Sequence, residues 1–294
     1  MNHKLKPLDQ QVIVITGASS GIGLATAELA AVRGALLVLV SRSTQTLQNI
    51  AHRLRAGGAP TIAVTADVAD RAQVQAVADA AITRFGRIDT WVNDAGVSIY
   101  GRLDEVNEMD SRRLFDTNFW GVVNGSLVAL PYLRSGGALI NVGSEVSEAV
   151  LPLQGMYGAS KHAVKGFTDA LRVEIEELDK APISITLIQP AAVNTPYPEH
   201  ARNYLTGEPM LPLPLIDPRE VAEAVLKAAV DGGRDVKVGA LASLSTAVSK
   251  LMPVVADKLA ARQAERQMRD EAPLHPLGTL FRPGEGGQVR GSHA

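Results

Sequence analysis

Tyr157 and Lys161 stand four residues apart in the run Tyr157-Gly158-Ala159-Ser160-Lys161, and Ser144 lies a short loop upstream. A helix places positions i and i+4 on one face, so the phenol and the ammonium can point into the same cleft. A phenol is a poor acid or base near neutrality because its ordinary pKa is about 10. A nearby cation favours phenolate and brings the group toward a useful range. The Tyr-x-x-x-Lys spacing also occurs on exposed helices, so its meaning depends on the elements that position it.

Those elements alternate. Val12-Ile13-Val14-Ile15 reads as a buried strand by its continuous apolar character, and Ile22 to Arg33 as a helix stopped by Gly34. Strands follow at Leu36 to Val40, Thr61 to Thr65, Ile88 to Val92, Ala138 to Val142 and Ile183 to Ile188, with a shorter one at Asp235 to Val238. Helices are expected at Thr46 to Ala56, Arg71 to Phe85, within about Glu105 to Arg134, and at Gly155 to Leu178. Asp217-Pro218-Arg219-Glu220 opens another, with Asp as N-cap, Pro first and an acid in the first turn. This order predicts an α/β, doubly wound, Rossmann-like parallel sheet in three layers, with a site at the carboxyl ends of the strands.

A single dinucleotide-binding and catalytic domain over 1–240 is expected, followed by a C-terminal helical extension and tail over 241–294. Residues 192–217 carry five prolines and are too long for a plain connector, which suggests a lid. Helical periodicity continues to about Arg269, interrupted at Pro253; beyond Ala272 the chain turns Gly/Pro-rich and reads as extended or mobile.

Composition excludes several functions. The 294 residues carry a net charge of −2, so no basic excess points to nucleic acid. No cysteine means no disulfide, thiol nucleophile or thiolate metal site, which fits a reducing cytosol; a cytoplasmic location is expected. The six histidines show no metal-ligand spacing, and no metal is expected. The amino terminus has no separate apolar stretch or cleavage site, so no signal peptide is expected, and no apolar run reaches the ~18 residues of a membrane span. No G-x-S-x-G elbow surrounds Ser144.

Thr16-Gly17-Ala18-Ser19-Ser20-Gly21-Ile22-Gly23 follows the first strand and opens the first helix. Glycine lets the backbone turn sharply near a ligand, and the helix start offers N–H groups and a positive dipole end to a pyrophosphate. The second strand ends Val40-Ser41-Arg42, with no acid to hold a ribose 2′-hydroxyl. Ser41 and the fork of Arg42 suit a 2′-phosphate, so NADP(H) is expected over NAD(H).

With Asp67-Val68, Asn93-Asp94-Ala95-Gly96, Asn118 and Ser144 added to these motifs, the sequence resembles the short-chain dehydrogenase/reductase family, in its compact single-domain branch. The resemblance covers roughly residues 9 to 240. It implies that Thr16, Gly17, Ser19, Ser20, Gly21, Ile22 and Gly23 form the cofactor turn, and that Asp67 accepts from the adenine amino group beside Val68. Asn93, Ala95 and Gly96 would lie along the adenosine ribose and steady the sheet. Pro190, Val193 and Thr195 would face the nicotinamide, Thr195 touching its carboxamide. Ser144, Tyr157 and Lys161 would be the catalytic trio, with Asn118 holding a water in a proton relay. Two positions depart from the family: Asp94 replaces an Asn, and Ala191 replaces a Gly, which puts the path of that loop in question.

Tyr157 is then the general acid in reduction and base in oxidation, Lys161 lowers its pKa and bonds the nicotinamide ribose, and Ser144 orients the substrate oxygen. Val146, Leu151, Leu153, Met156, Tyr197, Tyr204 and Leu205 predict an apolar pocket for a small hydrophobic carbonyl or alcohol, lipid-like, steroid-like or aromatic. The family commonly forms homodimers or homotetramers, and Ala163, Val164, Phe167 and Leu171 offer apolar surface on the tyrosine helix, though some of them must cover the sheet. Leu244, Val248, Leu251, Val255 and Leu259 recur at helical spacing, read as packing surface rather than as a helix lying on a membrane. The alternative function is a dinucleotide-binding regulator or redox sensor without significant turnover.

Overall fold

A computed structural model describes residues 5–149, 151–239, 249, 251–284 and 286–292. In chain order the elements are β1 Val12–Thr16, α1 Gly21–Val32, β2 Leu36–Ser41, α2 Thr44–Ala56, β3 Thr61–Thr65, α3 Arg71–Phe85, β4 Thr90–Asn93 and β5 Ile99–Tyr100. Then come α4 Glu108–Phe115, α5 Gly121–Leu133, β6 Gly137–Val142, α6 Gly155–Arg172, β7 Ile183–Pro190 and α7 Tyr197–His200. The described elements close with β8 Arg202–Asn203, α8 Pro218–Asp231, β9 Asp235–Val238 and α9 Pro253–Ala264.

Seven strands form one parallel sheet in the order β3-β2-β1-β4-β6-β7-β9. Along β1, Ile13 and Ile15 enter one layer with α1, α2 and α8, while Val12 and Val14 enter the other with α3 and α5. Both faces are covered, which is why β1 and β2 are apolar at nearly every position rather than at alternate ones. The chain winds outward from β1 in both directions, through β2 on one side and β4 on the other. A crevice therefore opens at the carboxyl ends of β1 and β4. The doubly wound α/β expectation is met.

Local chemistry fixes the helix ends. Asp70 accepts from the Ala72 and Gln73 N–H groups at the start of α3, and Gly86 closes that helix at φ +77°. Asp217 and Glu220 form a capping box around Pro218 at the start of α8. Ser20, at the start of α1, makes no side-chain cap. The amino end of that helix is thus left to other partners.

Several boundaries differ from the sequence reading. β4 begins at Thr90 rather than Ile88 because the Asp89 carboxylate takes the Val12 N–H at 2.8 Å and pairs with Lys6 and Arg87. The helices expected through 105–134 and 155–178 each contain a widened turn, at Asp116–Trp120 and Val173–Leu178. The first carries Asn118 inward; the second brings Glu176 against the β7 backbone, where Ile185 N–H donates to it at 2.7 Å. Val164 and Leu171 cover the sheet instead of offering a surface for a second subunit. Leu244 and Val248 lie outside the described residues, while Leu251, Val255 and Leu259 are exposed. No helix among the described residues is long and apolar enough to cross a membrane.

The segment 192–217, expected as a lid, contains β8, which pairs in parallel with β5 from the loop after β4. The tail beyond Ala272 is extended but seated: Leu280 is fully buried among Val97, Ile99 and Leu114. A single leucine in a Gly/Pro-rich stretch carries no periodicity by which sequence could have found this anchor.

Candidate active site

The turn after β1 is built for close approach. Gly17 has φ +73°, and a Cβ there would stand 2.9 Å from the Ala95 backbone. Only glycine satisfies both demands. The Thr16 hydroxyl accepts from the Asp94 and Ala95 N–H groups at 3.0 and 3.2 Å, tying the ends of β1 and β4 together. Gly21 has φ +55° and lies against Thr195. A Cβ on Gly23 would meet the Gly17 carbonyl at 2.5 Å.

At the far end of the crevice stand Ser41, Arg42, Asp67 and Val68. Arg113 of α4 pairs with Asp67 at 2.5 Å, and the other Asp67 oxygen accepts from Ala69 N–H at 3.1 Å. Arg42 donates to the carbonyls of Leu280 and Thr279 at 3.0 and 2.5 Å. Burial lowers the Arg42 pKa, partly offset by Asp67. Val68 packs on Gly121, where any side chain would collide with it.

Asn93 is buried beneath this surface. Its amide donates to Asn141 at 2.8 Å and Ser126 at 3.2 Å, and its oxygen accepts from the Trp91 indole at 2.9 Å. Asn118 is fully buried; it accepts from Val97 N–H at 2.8 Å and donates to Val97 O and Ser160 Oγ at 2.9 and 3.1 Å. The Asn118 side chain therefore clamps the loop after β4.

Ser144, Tyr157 and Lys161 meet where β6 and α6 approach. Ser144 ends the loop after β6 with extended backbone and its oxygen accepts from Val146 N–H at 3.3 Å. The Lys161 ammonium donates to Val142 O at 2.8 Å and lies 5.7 Å from the centre of the Tyr157 ring. Burial pushes the Tyr157 phenol up to about 12, against hydrogen bonds from the Ser144 and Tyr197 hydroxyls that pull it down. Spacing makes Lys161 the group expected to favour phenolate; in the structure the lowering comes instead from two hydroxyls, Ser144 and Tyr197. The single Tyr197 proton is shared with Gln154 Oε1, which its oxygen approaches at 2.7 Å, and the ring stands edge-on to Tyr157 at 5.3 Å. His162 turns back to the Gly158 carbonyl, away from the trio.

Asp94 is the least expected member. It is buried between the Gly23 N–H and Lys161, and burial raises its pKa to about 7. Burial likewise lowers Lys161 to about 8, with Asp94 pulling it back up. Ala191, the other departure, has no left-handed backbone and donates its N–H to Val238 O at 2.9 Å, so it continues β7 without strain.

One cavity of about 510 Å³ joins these parts. Gly17, Ser19, Ser20, Gly21, Ile22, Ser41, Arg42, Asp67, Val68, Ala95 and Gly96 line it, with Ser144, Tyr157, Lys161, Pro190, Val193 and Thr195. Thr16, Gly23, Asn93 and Asn118 do not; they support it from behind. Of the expected substrate wall, Val146, Leu151 and Tyr197 line the cavity. Leu153, Met156, Tyr204 and Leu205 do not: Met156 and Tyr204 pack around Leu280, and the Tyr204 hydroxyl donates to Asp110 at 2.7 Å.

A dinucleotide fits these residues on two observations. A Cβ would fill the glycine cradle, and the buried Thr117 hydroxyl on the cavity wall has no protein partner. Among the described residues, no group of three or more His, Asp or Glu could hold a metal. Sequence reasoning missed Arg113 and the tail residues Thr279, Pro283 and Gly284, all brought to the site by long-range packing with no local signal.

The short chain dehydrogenase family model matches residues 11–204. The uncharacterized oxidoreductase YxnA of Bacillus subtilis (strain 168) is 41% identical over 296 residues, covering 99% of this chain and 83% of that protein. The 11-beta-hydroxysteroid dehydrogenase A of Sesamum indicum is 36% identical over 237 residues, covering 76% of this chain and 67% of that protein. Among solved structures, a short chain dehydrogenase/reductase from Burkholderia phymatum in complex with NAD superposes with a TM-score of 0.72 at 30% identity, covering 92% of this chain and 99% of the other. An alcohol dehydrogenase from Thermococcus sibiricus complexed with 5-hydroxy-NADP gives 0.67 at 28% identity, covering 78% and 94%.

Proposed function

The chain belongs to the short-chain dehydrogenase/reductase family, and on that premise we propose that it is an NADP(H)-dependent oxidoreductase acting on a hydrophobic carbonyl or secondary alcohol. The observation that carries this reading is the convergence of Ser144, Tyr157 and Lys161 on the cavity that the glycine turn also lines. Bound nicotinamide supplies or accepts the hydride. Tyr157 gives the proton to the carbonyl oxygen in reduction and takes it back in oxidation. Ser144 donates to that oxygen and orients it. Lys161 adds positive charge beside the phenol and a donor for the ribose hydroxyls. Asn118 holds the loop at Val97 and, in the family's manner, a relay water.

The preference for NADP(H) rests on Ser41 and Arg42 at the end of β2, where no acid stands. The cofactor would run from Asp67 and Val68, past Gly17 to Gly23, Ala95 and Gly96, to Pro190, Val193 and Thr195. Asn93 supports that surface through its bonds to Asn141 and Trp91. Val146, Leu151 and Tyr197 support an apolar substrate, for which a relative named as a hydroxysteroid dehydrogenase is a precedent. Residues 1–240 would act as the catalytic unit, 192–217 as its lid and 241–294 as an extension, in a cytoplasmic homodimer or homotetramer.

The test is a panel of carbonyls and alcohols followed by nicotinamide absorbance with both cofactors. NADPH should give the higher kcat/KM; equal or better efficiency with NADH would refute the preference. Tyr157→Phe should keep dinucleotide binding and lose roughly a thousandfold or more in turnover. A variant near full speed would remove Tyr157 from the acid/base role.

A further inference from the structure

We propose that the carboxy-terminal segment, residues 278–284 and 286–292, is a wall of the cofactor site that retains the dinucleotide and must lift for it to exchange. This rests on the cofactor reading above. Thr279, Pro283 and Gly284 line the same cavity as Gly17, Arg42 and Tyr157. The segment is therefore a side of the site, and it also holds one donor of the glycine turn, the Gly21 N–H.

It is fastened at both ends of the crevice. At one end, buried Leu280 fills the space between Val97, Ile99 and Leu114, while its carbonyl accepts from Arg42 at 3.0 Å and from Arg113 at 3.1 Å. Thr279 N–H donates to His200 O at 2.8 Å. At the other end the segment crosses the glycine turn: Gly287 N–H donates to Ser19 O at 2.7 Å and Gly21 N–H to Gln288 O at 3.0 Å. Beyond that point, Arg290 pairs with Asp217, and the Ser292 N–H and hydroxyl donate to Glu199 at 2.7 and 3.0 Å. These last contacts lie on the lid and at the start of α8, so the segment spans from the adenine end of the crevice to the lid.

The seating is specific in backbone terms. Gly278 has φ +53°, and a Cβ there would stand 2.4 Å from the Ala201 carbonyl carbon and oxygen. Any side chain at 278 is strained twice, by conformation and by collision. The Arg42 fork gives two donors to the segment and keeps the remainder for a ligand, so wall and phosphate share this cation.

The test uses the full chain and two variants confined to the segment. Gly278→Val dislodges the Leu280 anchor; Arg290→Gln removes only the pair with Asp217. Bound NADPH is displaced by excess NADP⁺ and its release followed by fluorescence in a stopped-flow instrument. Gly278→Val should release NADPH at least about tenfold faster than the unaltered chain, the change expected from one lost buried anchor, with Arg290→Gln between them. Limited trypsin cleavage after Arg290, which precedes Gly291, is the second readout in the unaltered chain. Saturating NADPH should slow that cleavage in the unaltered chain. Unchanged release rates in both variants would overturn the proposal, as would cleavage accelerated by NADPH, because a segment expelled by the cofactor is a competitor and not a wall. If the unaltered chain binds neither NADPH nor NADH, the cofactor reading fails and this proposal falls with it; binding with unaltered exchange sinks the proposal alone.

Discussion

Replacing Asp94 by Asn should stabilise the protein, and more so in mild base than in mild acid. Burial raises the Asp94 pKa from 3.8 to about 7. Between those values the folded chain binds a proton that the unfolded chain has released. Stability therefore falls as pH rises through this window, and the loss is complete above the folded pKa. From about pH 5 to about pH 8 the group crosses roughly two units of that window, about 3 kcal/mol at 1.36 kcal/mol per unit. Asn can still accept from the Gly23 N–H, so the substitution removes the ionisation and keeps a polar partner. Lys161 acts in the same direction. Its pKa already stands lowered to about 8, and loss of the Asp94 carboxylate lets it fall further. The variant must then charge a buried amine as pH drops, which shrinks its advantage in acid. Urea unfolding of both proteins at about pH 5 and about pH 8 measures the difference. A gain that is equal at the two values, or larger in acid, would refute the buried-carboxylate argument.

Tyr197→Phe removes one of the two hydroxyls that hold the Tyr157 pKa down. The inflection of the pH–rate profile in the oxidation direction should move to higher pH, with dinucleotide affinity unchanged; an unmoved inflection would show that the lid hydroxyl does not act on the phenol. Asn93→Ala strips partners from the Trp91 indole and from Asn141 inside the core. It should cost about 2–5 kcal/mol by urea unfolding, and a loss under about 1 kcal/mol would mean that the cluster is rehydrated or repacked.

The sheet was legible because a parallel strand covered on both faces tends to be apolar throughout, and Val12 to Ile15 and Leu36 to Val40 are such runs. The glycine turn was legible for a related reason: Gly17 and Gly21 hold left-handed backbone that other residues avoid. Residues whose duty is local could be read. Those whose duty depends on a distant partner could not. Arg113 is ordinary on its own helix face until Asp67, 46 residues away in sequence, is brought beside it. Asn118 has the form of a helix kink, and only the fold shows that Val97 uses both ends of its amide. Met156 and Tyr204 have the character of a substrate wall but surround Leu280, because the tail reaches them first.

Loss of solvent is the largest influence on the acid, the amine and the phenol of this site, and Asp94 acts on the other two within it. Lys161 moves toward neutrality because it is buried, and Asp94 draws it back. Tyr157 is moved away from phenolate by the same burial, and Asp94 adds to that push. The carboxylate thus preserves the cation at the expense of the phenolate. For the proposed chemistry this favours a protonated Tyr157 beside a charged Lys161, the state from which a proton is given to a carbonyl oxygen. An Asn at position 94 relaxes both effects. The family's usual Asn and this chain's Asp therefore set different resting proton distributions in an otherwise similar frame.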